Sequence, residues 1–176
     1  RQRQMCIRDS LGTVQLAANG ITPWTPETPA LYTLRVNVTA NGTADTAEQR
    51  IGIRTIQVSS KTGLLLNGQP RTMKGGCIHH DLGILGAADH AAAERRRIRL
   101  MKESGFDAIR AAHNPFGPAF LNACDELGML VVEEAFDEWV MGRTSFGLHV
   151  TFEQCWEKDL EDMITRDYNH PCIVMW

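Results

Sequence analysis

After Pro70 the chain settles into a rhythm that few folds accommodate: four short apolar stretches separated by three helical patterns. The apolar stretches are Thr72–Ile78, Phe106–Ala111, Met129–Ala135 and Cys172–Trp176; the helical patterns run over Ala91–Ser104, Gly117–Leu127 and Phe152–Tyr168. Short runs without alternation are the mark of strands covered on both faces, and β-α units of about 20–30 residues build a parallel sheet. In the first helix Ile98 and Met101 face inward with Leu100 beside them, while Arg95, Arg96, Arg97, Lys102 and Glu103 face mostly outward. Gly105 and Gly128 stop the first two helices, and Lys158 and Asp162 pair at i,i+4 on the third. Asn169 caps that helix, and Pro171 sets the start of the last strand.

Before Pro70 the pattern is different. Leu31–Val38 (LYTLRVNV) alternates apolar and polar, as a half-buried antiparallel strand does, and Asn41-Gly42 follows as a hairpin turn. Gln49–Val58 alternates again, and Thr62-Gly63 and Asn67-Gly68 mark tight turns. With Pro23, Pro26 and Pro29 in the preceding loop, this reads as the tail of a β-sandwich with too few strands to close two sheets. Arg1–Ser10 fits no period and is expected to be non-native sequence. The expected organisation is thus residues 1–10 foreign, 11–59 a sandwich remnant, and 60–176 an α/β unit. A buried apolar strand at Cys172–Trp176, where the chain stops, predicts that the whole is a fragment.

A parallel α/β sheet is either an open dinucleotide-binding sheet or a barrel. The open form needs G-x-G-x-x-G after its first strand, and this chain has Gly75-Gly76-Cys77-Ile78-His79-His80 there. Polar residues stand instead at the carboxyl end of each of the first three strands: His79 and His80, then His113 and Asn114, then Glu133, Glu134 and Asp137. A (β/α)8 barrel assembles its site in that place, so four strands predict the first half of one. The charge, 18 − 21 = −3, has no basic stripe, which argues against a nucleic-acid grip or an anionic membrane surface as partner. No run of about 18 apolar residues occurs. The five scattered cysteines, with no C-x-x-C, read as reduced and mostly buried thiols.

Three groups carry chemistry. Arg110 lies inside an apolar strand and needs an anionic partner, since an unpaired guanidinium there is costly. An active-site carboxylate is one candidate, and a structural salt bridge to Glu133 or Glu134 is the other. Pro115 forces Asn114 out of helical geometry, so His113 and Asn114 project over the strand ends. His79 and His80, followed by Asp81, read as ligand hydrogen-bonding groups, with a zinc site or a plain structural role as alternatives. Adjacent residues on a strand face opposite ways, so Glu133 and Glu134 cannot form a catalytic pair. One should meet Arg110 and the other the helix layer. Asp137 can accept from hydroxyls, and Trp139 offers a platform for a sugar ring or else packs the loop.

Together these motifs resemble glycoside hydrolase family 2. The likeness rests on GIRT (Gly52–Thr55), LLLNGQP (Leu64–Pro70), KGGCIHHDLGILGAA (Lys74–Ala88), IRAAHNP (Ile109–Pro115), ACDELGMLVVEEAFDEW (Ala123–Trp139) and RDYNHPCIVMW (Arg166–Trp176). It covers Thr22–Trp176 and is similar to the β-galactosidase branch, which also holds β-glucuronidases and β-mannosidases. The resemblance implies an immunoglobulin-like sandwich followed by a catalytic barrel, and a retaining exo-β-glycosidase acting on carbohydrate, most of all on β-galactosides. It places the acid/base glutamate in a Ser-x-Gly-Asn-Glu motif beyond Trp176 and the nucleophile further on. Neither is in this chain, which is therefore expected to be inactive by itself. By the resemblance Arg110, which supports the nucleophile, and His79 and His113, which hold the sugar, remain of the site. With Asn114, Asp137 and Trp139 from the reading of the residues they make the expected substrate-binding set, with no cofactor and an oligomer allowed for the whole protein. The alternatives are a non-catalytic carbohydrate-binding or scaffold protein, or a β-glucuronidase or β-mannosidase of the same family. Some β-galactosidases hold magnesium after the third strand through a glutamate and a histidine; Glu138 matches the glutamate, but Val140 replaces the histidine, so no metal site is expected. His79-His80-Asp81 also departs from the commoner Arg-His-Glu pattern, which leaves the roles of His80 and Asp81 open.

Overall fold

A computed structural model describes residues 19–176; the expectation for Arg1–Ser10 falls outside them. Strands β1 (Tyr32–Ala40) and β2 (Thr43–Ile51) form an antiparallel hairpin in continuous register from Tyr32 opposite Ile51 to Ala40 opposite Thr43. Asn41 and Gly42 both adopt positive φ, 49° and 78°, which gives the primed turn whose twist suits a two-residue hairpin. A small antiparallel sheet follows, with β3 (Ile56–Ser59), β4 (Gly63–Leu66) and β5 (Gln69–Pro70) in the order β3-β4-β5.

The single strand expected over Gln49–Val58 is two strands, because the chain leaves the hairpin at Gly52. A side chain there would collide with Pro171, 2.5 Å from where a Cβ would sit. Two residues on, the Arg54 guanidinium donates to the carbonyls of Pro171 (3.0 Å) and Ile173 (2.5 Å). These contacts draw the segment away from alternation and onto the α/β unit.

That unit is a four-stranded parallel sheet in the order β6 (Gly75–Ile78), β7 (Ala108–Ala111), β8 (Leu130–Glu133), β9 (Ile173–Met175). Helices α1 (Ala91–Glu103), α2 (Pro118–Leu127) and α3 (Phe152–Asp167) make the connections. Strand order follows chain order throughout, as in a barrel under construction. Helix α2 opens with Pro118 in its first turn and ends on Gly128 in the left-handed region, φ 71°. The core lies between sheet and helices: Ile98, Ile109, Phe120, Leu121, Leu130 and Val131 are at most 1% exposed. Trp24 joins it from the proline loop, fully buried, with its indole N–H donating to the Asp125 carbonyl at 2.9 Å. The other face of the sheet is open.

Three expectations need correction. Leu100 is exposed, because two residues beyond Ile98 is more than half a turn round the helix. Arg97 does not face solvent; it pairs with buried Glu94 at 2.6 Å, and its guanidinium lies 5.5 Å from the Phe116 ring and 5.7 Å from that of Phe120. Of the described cysteines, all unpaired, only Cys124 and Cys172 are buried; Cys155 is half-buried and Cys77 points onto the open sheet face. Among the described residues no helix is long and apolar enough to cross a membrane.

Candidate active site

The carboxyl ends of β7 and β8 build the site. Arg110 faces the open side of the sheet, in register with Cys77 on β6 and Val132 on β8. The strand therefore does not bury it; its side chain is 47% exposed. Its Nε–H donates to Oε1 of Glu134, and Nη1 lies 3.5 Å from the Cys77 sulfur. The second oxygen of Glu134 accepts the Nδ1–H of His113 at 2.9 Å. One carboxylate thus holds two cavity-lining groups, one of them cationic, from the neighbouring strand and its end. Burial pulls the Glu134 carboxyl upward, but Arg110 and then His113 outweigh it and keep it below the ordinary carboxylate value.

Glu133 turns the other way. It is 1% exposed among the helices, and neither carboxyl oxygen has a hydrogen-bond partner. The Phe116 backbone N–H approaches it but falls short of a hydrogen bond. Burial, reinforced by the negative charge of Asp167, pushes its pKa up to about 7. The two glutamates therefore face opposite sides of the sheet.

A cavity of about 440 Å³ lies over the strand ends, walled by Arg110, His113, Glu134, Asp137, Trp139 and Trp176. Arg143 also faces it and pairs with Asp137 at 3.1 Å. Trp139 lines the cavity and stacks on Phe152, ring centroids 6.1 Å apart, so it does pack the loop. His79 stands beside His113, with ring centroids 5.2 Å apart, but is not among the cavity walls. Its carbonyl accepts from Arg97 Nη1 at 3.1 Å, which ties helix α1 to the strand end. Asn114 opens instead onto a neighbouring cavity of about 660 Å³ with Pro115, Phe136, Leu148 and Met163. Ala135, Phe136 and Asp137 line both cavities.

His80 is set apart from the other two histidines. Its ring stacks on Phe116 at 4.0 Å, with Nε2 3.2 Å from the Pro115 carbonyl, and burial lowers its pKa. The three do not converge on a shared ligand position. Among the described residues, Asp125, His170 and Cys172 do come within metal-ligand range of one another. The Asp125 oxygens, however, already accept from His170 Nδ1 (2.5 Å) and the Cys172 backbone N–H (3.1 Å), tying α2 to β9. The magnesium position of some β-galactosidases does not fit either. Each oxygen of Glu138 already accepts one hydrogen bond, from the Arg143 backbone N–H and from His149, and the exposed Val140 carries no ligand atom.

Sequence reasoning missed Trp176, Arg143 and His149. Trp176 could have been found as an aromatic at a strand's carboxyl end. The other two belong to a loop with no period to read.

A parallel β/α sheet with a polar cavity at its carboxyl edge, preceded by a β-sandwich remnant, defines a barrel-type α/β protein. The chain belongs to glycoside hydrolase family 2: residues 56–176 match the family's TIM barrel domain, and residues 4–54 match a second family 2 domain. Beta-galactosidase BoGH2A of Bacteroides ovatus is 41% identical over 165 residues, 93% of this chain and 19% of that protein. A putative beta-glucuronidase of Formosa agariphila is 34% identical, over 93% of this chain and 16% of that one. A crystal structure of a family 2 member from Bacteroides cellulosilyticus superposes with a TM-score of 0.86 at 44% identity, over 89% of this chain and 20% of that one. The Parabacteroides merdae beta-glucuronidase structure gives 0.72 at 28%, over 86% of this chain and 18% of that one. The chain spans about a fifth or less of the length of these relatives.

Proposed function

We propose that the protein carrying this chain is a retaining exo-β-glycosidase that removes terminal β-linked sugars, β-galactosides before others. The observation that carries the reading is Glu134 holding Arg110 and His113 together at the wall of a sugar-sized cavity. In this reading residues 11–59 end an immunoglobulin-like sandwich, and residues 60–176 supply strands one to four of an eight-stranded barrel.

Each residue then has a task. Arg110, permanently charged, supports an ionised nucleophilic carboxylate supplied from elsewhere in the barrel, while Glu134 fixes the guanidinium plane. His113, with His79 beside it, hydrogen-bonds sugar hydroxyls. Asp137 and Asn114 accept from hydroxyls further out, and Trp139 offers its face to the ring. Retaining hydrolysis needs one carboxylate to attack the anomeric carbon and a second to protonate the leaving oxygen, about 5–5.5 Å apart. Glu134 has each oxygen engaged by a partner and Glu133 is buried among helices, so neither serves. Both catalytic carboxylates come from sequence beyond Trp176, and the 176-residue chain is inactive alone.

The assay uses para-nitrophenyl β-galactoside and para-nitrophenyl β-glucuronide with the full-length protein and with the 176-residue chain. The full-length protein should cleave the galactoside, and the short chain neither. Arg110→Ala in the full-length protein should lower kcat/KM roughly 100-fold or more, the scale of losing one preorganised charge at a reacting centre. Faster cleavage of the glucuronide would move the substrate assignment to the branch that includes the Formosa and Parabacteroides relatives. Activity of the short chain, or an unimpaired Arg110→Ala enzyme, would overturn the reading.

A further inference from the structure

Glu138 is buried, 7% exposed, although Asp137 and Trp139 on either side of it are open to solvent. Its Oε1 accepts the Arg143 backbone N–H at 3.0 Å, and its Oε2 accepts the His149 Nδ1–H at 3.2 Å. The chain between these partners is wrapped closely about them. A Cβ at Gly147 would sit 1.8 Å from Glu138 Oε2, and one at Gly142 would sit 2.1 Å from His149 Nδ1. A side chain at either position would push Glu138 or His149 out of the pair.

Besides this pair, the Trp139–Phe152 stack and the Arg143–Asp137 ion pair anchor the loop. Val140, Met141 and Phe146 are 62%, 88% and 97% exposed, so its apolar side chains form no core of their own. Its ends nevertheless carry groups that wall the smaller cavity. Trp139 follows Glu138 directly, Asp137 precedes it, and Arg143, whose backbone N–H meets Glu138, reaches Asp137 with its side chain at 3.1 Å.

We propose that Glu138 and His149 are positioning residues: their pair is a clasp that holds the Trp139–Leu148 loop so that Asp137, Trp139 and Arg143 face the bound sugar. The role of the clasp toward sugar rests on the glycosidase reading. The clasp also takes the place of a cation here. Each Glu138 oxygen already accepts an N–H, and valine at position 140 supplies no second ligand, so the loop offers magnesium one engaged carboxylate while His149 ties Glu138 from within the chain.

The test compares the full-length protein with its His149→Ala and His149→Asn variants. An asparagine amide nitrogen can take the place of His Nδ1, so the second variant keeps the donor. Arg143 is the one lysine or arginine between Glu138 and Thr151, and brief trypsin treatment with mass detection reads how often the loop opens there. His149→Ala should speed cleavage after Arg143 and raise KM for the β-galactoside, each about tenfold, the scale of losing one hydrogen bond to a charged group. kcat should change far less, and His149→Asn should restore both readouts. EDTA should leave wild-type cleavage at Arg143 unchanged. Unaltered nicking in His149→Ala overturns the clasp, as does equal damage from Ala and Asn or faster wild-type nicking in EDTA. Faster nicking with an unchanged KM overturns its positioning role. If the wild-type protein cleaves no glycoside, the glycosidase reading and the sugar-positioning role fall together, and the nicking comparison alone decides the clasp.

Discussion

At the scale of single residues, Glu133 and Glu134 show how one step along a strand reverses the fate of a carboxyl group. Glu134 is held ionised by Arg110 and His113, whereas Glu133 is raised from 4.5 to about 7 by burial and by Asp167. Between those two values the folded protein keeps a proton on Glu133 that the unfolded chain has released. Stability therefore falls as pH climbs through that window, by at most about 3 kcal/mol. Glu133→Gln should leave stability near pH 5 almost unchanged and increase it at pH 8. Thermal unfolding of the full-length protein at both pH values checks this, and an equal pH slope in wild type and variant would refute it. The opposite facing of the two glutamates, and the pairing of one with Arg110, were legible because strand alternation is strict. Arg97 was misread because a guanidinium is amphipathic: with Glu94 to neutralise it and Phe116 and Phe120 beside it, it packs inward. The contacts of His149 and Arg143 follow a loop's backbone path, which residue order alone does not encode.

At the scale of elements, helices were the easiest features to foresee. Each observed helix lies within a residue of the expected span, since their stop signals are local. Gly128 does more than end α2. Besides its φ of 71°, a Cβ there would sit 2.3 Å from the Pro26 carbonyl oxygen, and Lys102 Nζ bridges the Pro26 (2.9 Å) and Gly128 (2.5 Å) carbonyls. Gly128→Ala should destabilise the protein by about 1–3 kcal/mol, combining left-handed strain with the backbone clash. A fall in thermal midpoint measures it, and an unchanged midpoint would show that the proline loop yields freely. The break between β2 and β3 was not foreseeable from period, because its cause, Pro171, lies more than a hundred residues away.

At the scale of the whole molecule, among the described residues the β6–β9 sheet is covered by helices on one side and open on the other, and each of its edge strands has one neighbour. The β1–β2 hairpin exposes Val36 and Val38, each 47%. Such surfaces invite association. The isolated 176-residue chain should bind a hydrophobic dye and elute from a sizing column as oligomers or aggregate, while a sharp monomeric melt would refute that. The β-to-α/β change of rhythm was plain in the sequence because it is set by turn residues and periodicity. The sharing of Trp24 between the proline loop and the α/β core was not, since a lone tryptophan carries no address. The seam made by Gly52 and Arg54 bears on the order of assembly. Arg54 leaves the ribosome more than a hundred residues before the Pro171 and Ile173 carbonyls it grips, and Gly52 as long before the Pro171 ring it lies against, so this seam can close only once β9 has been synthesised.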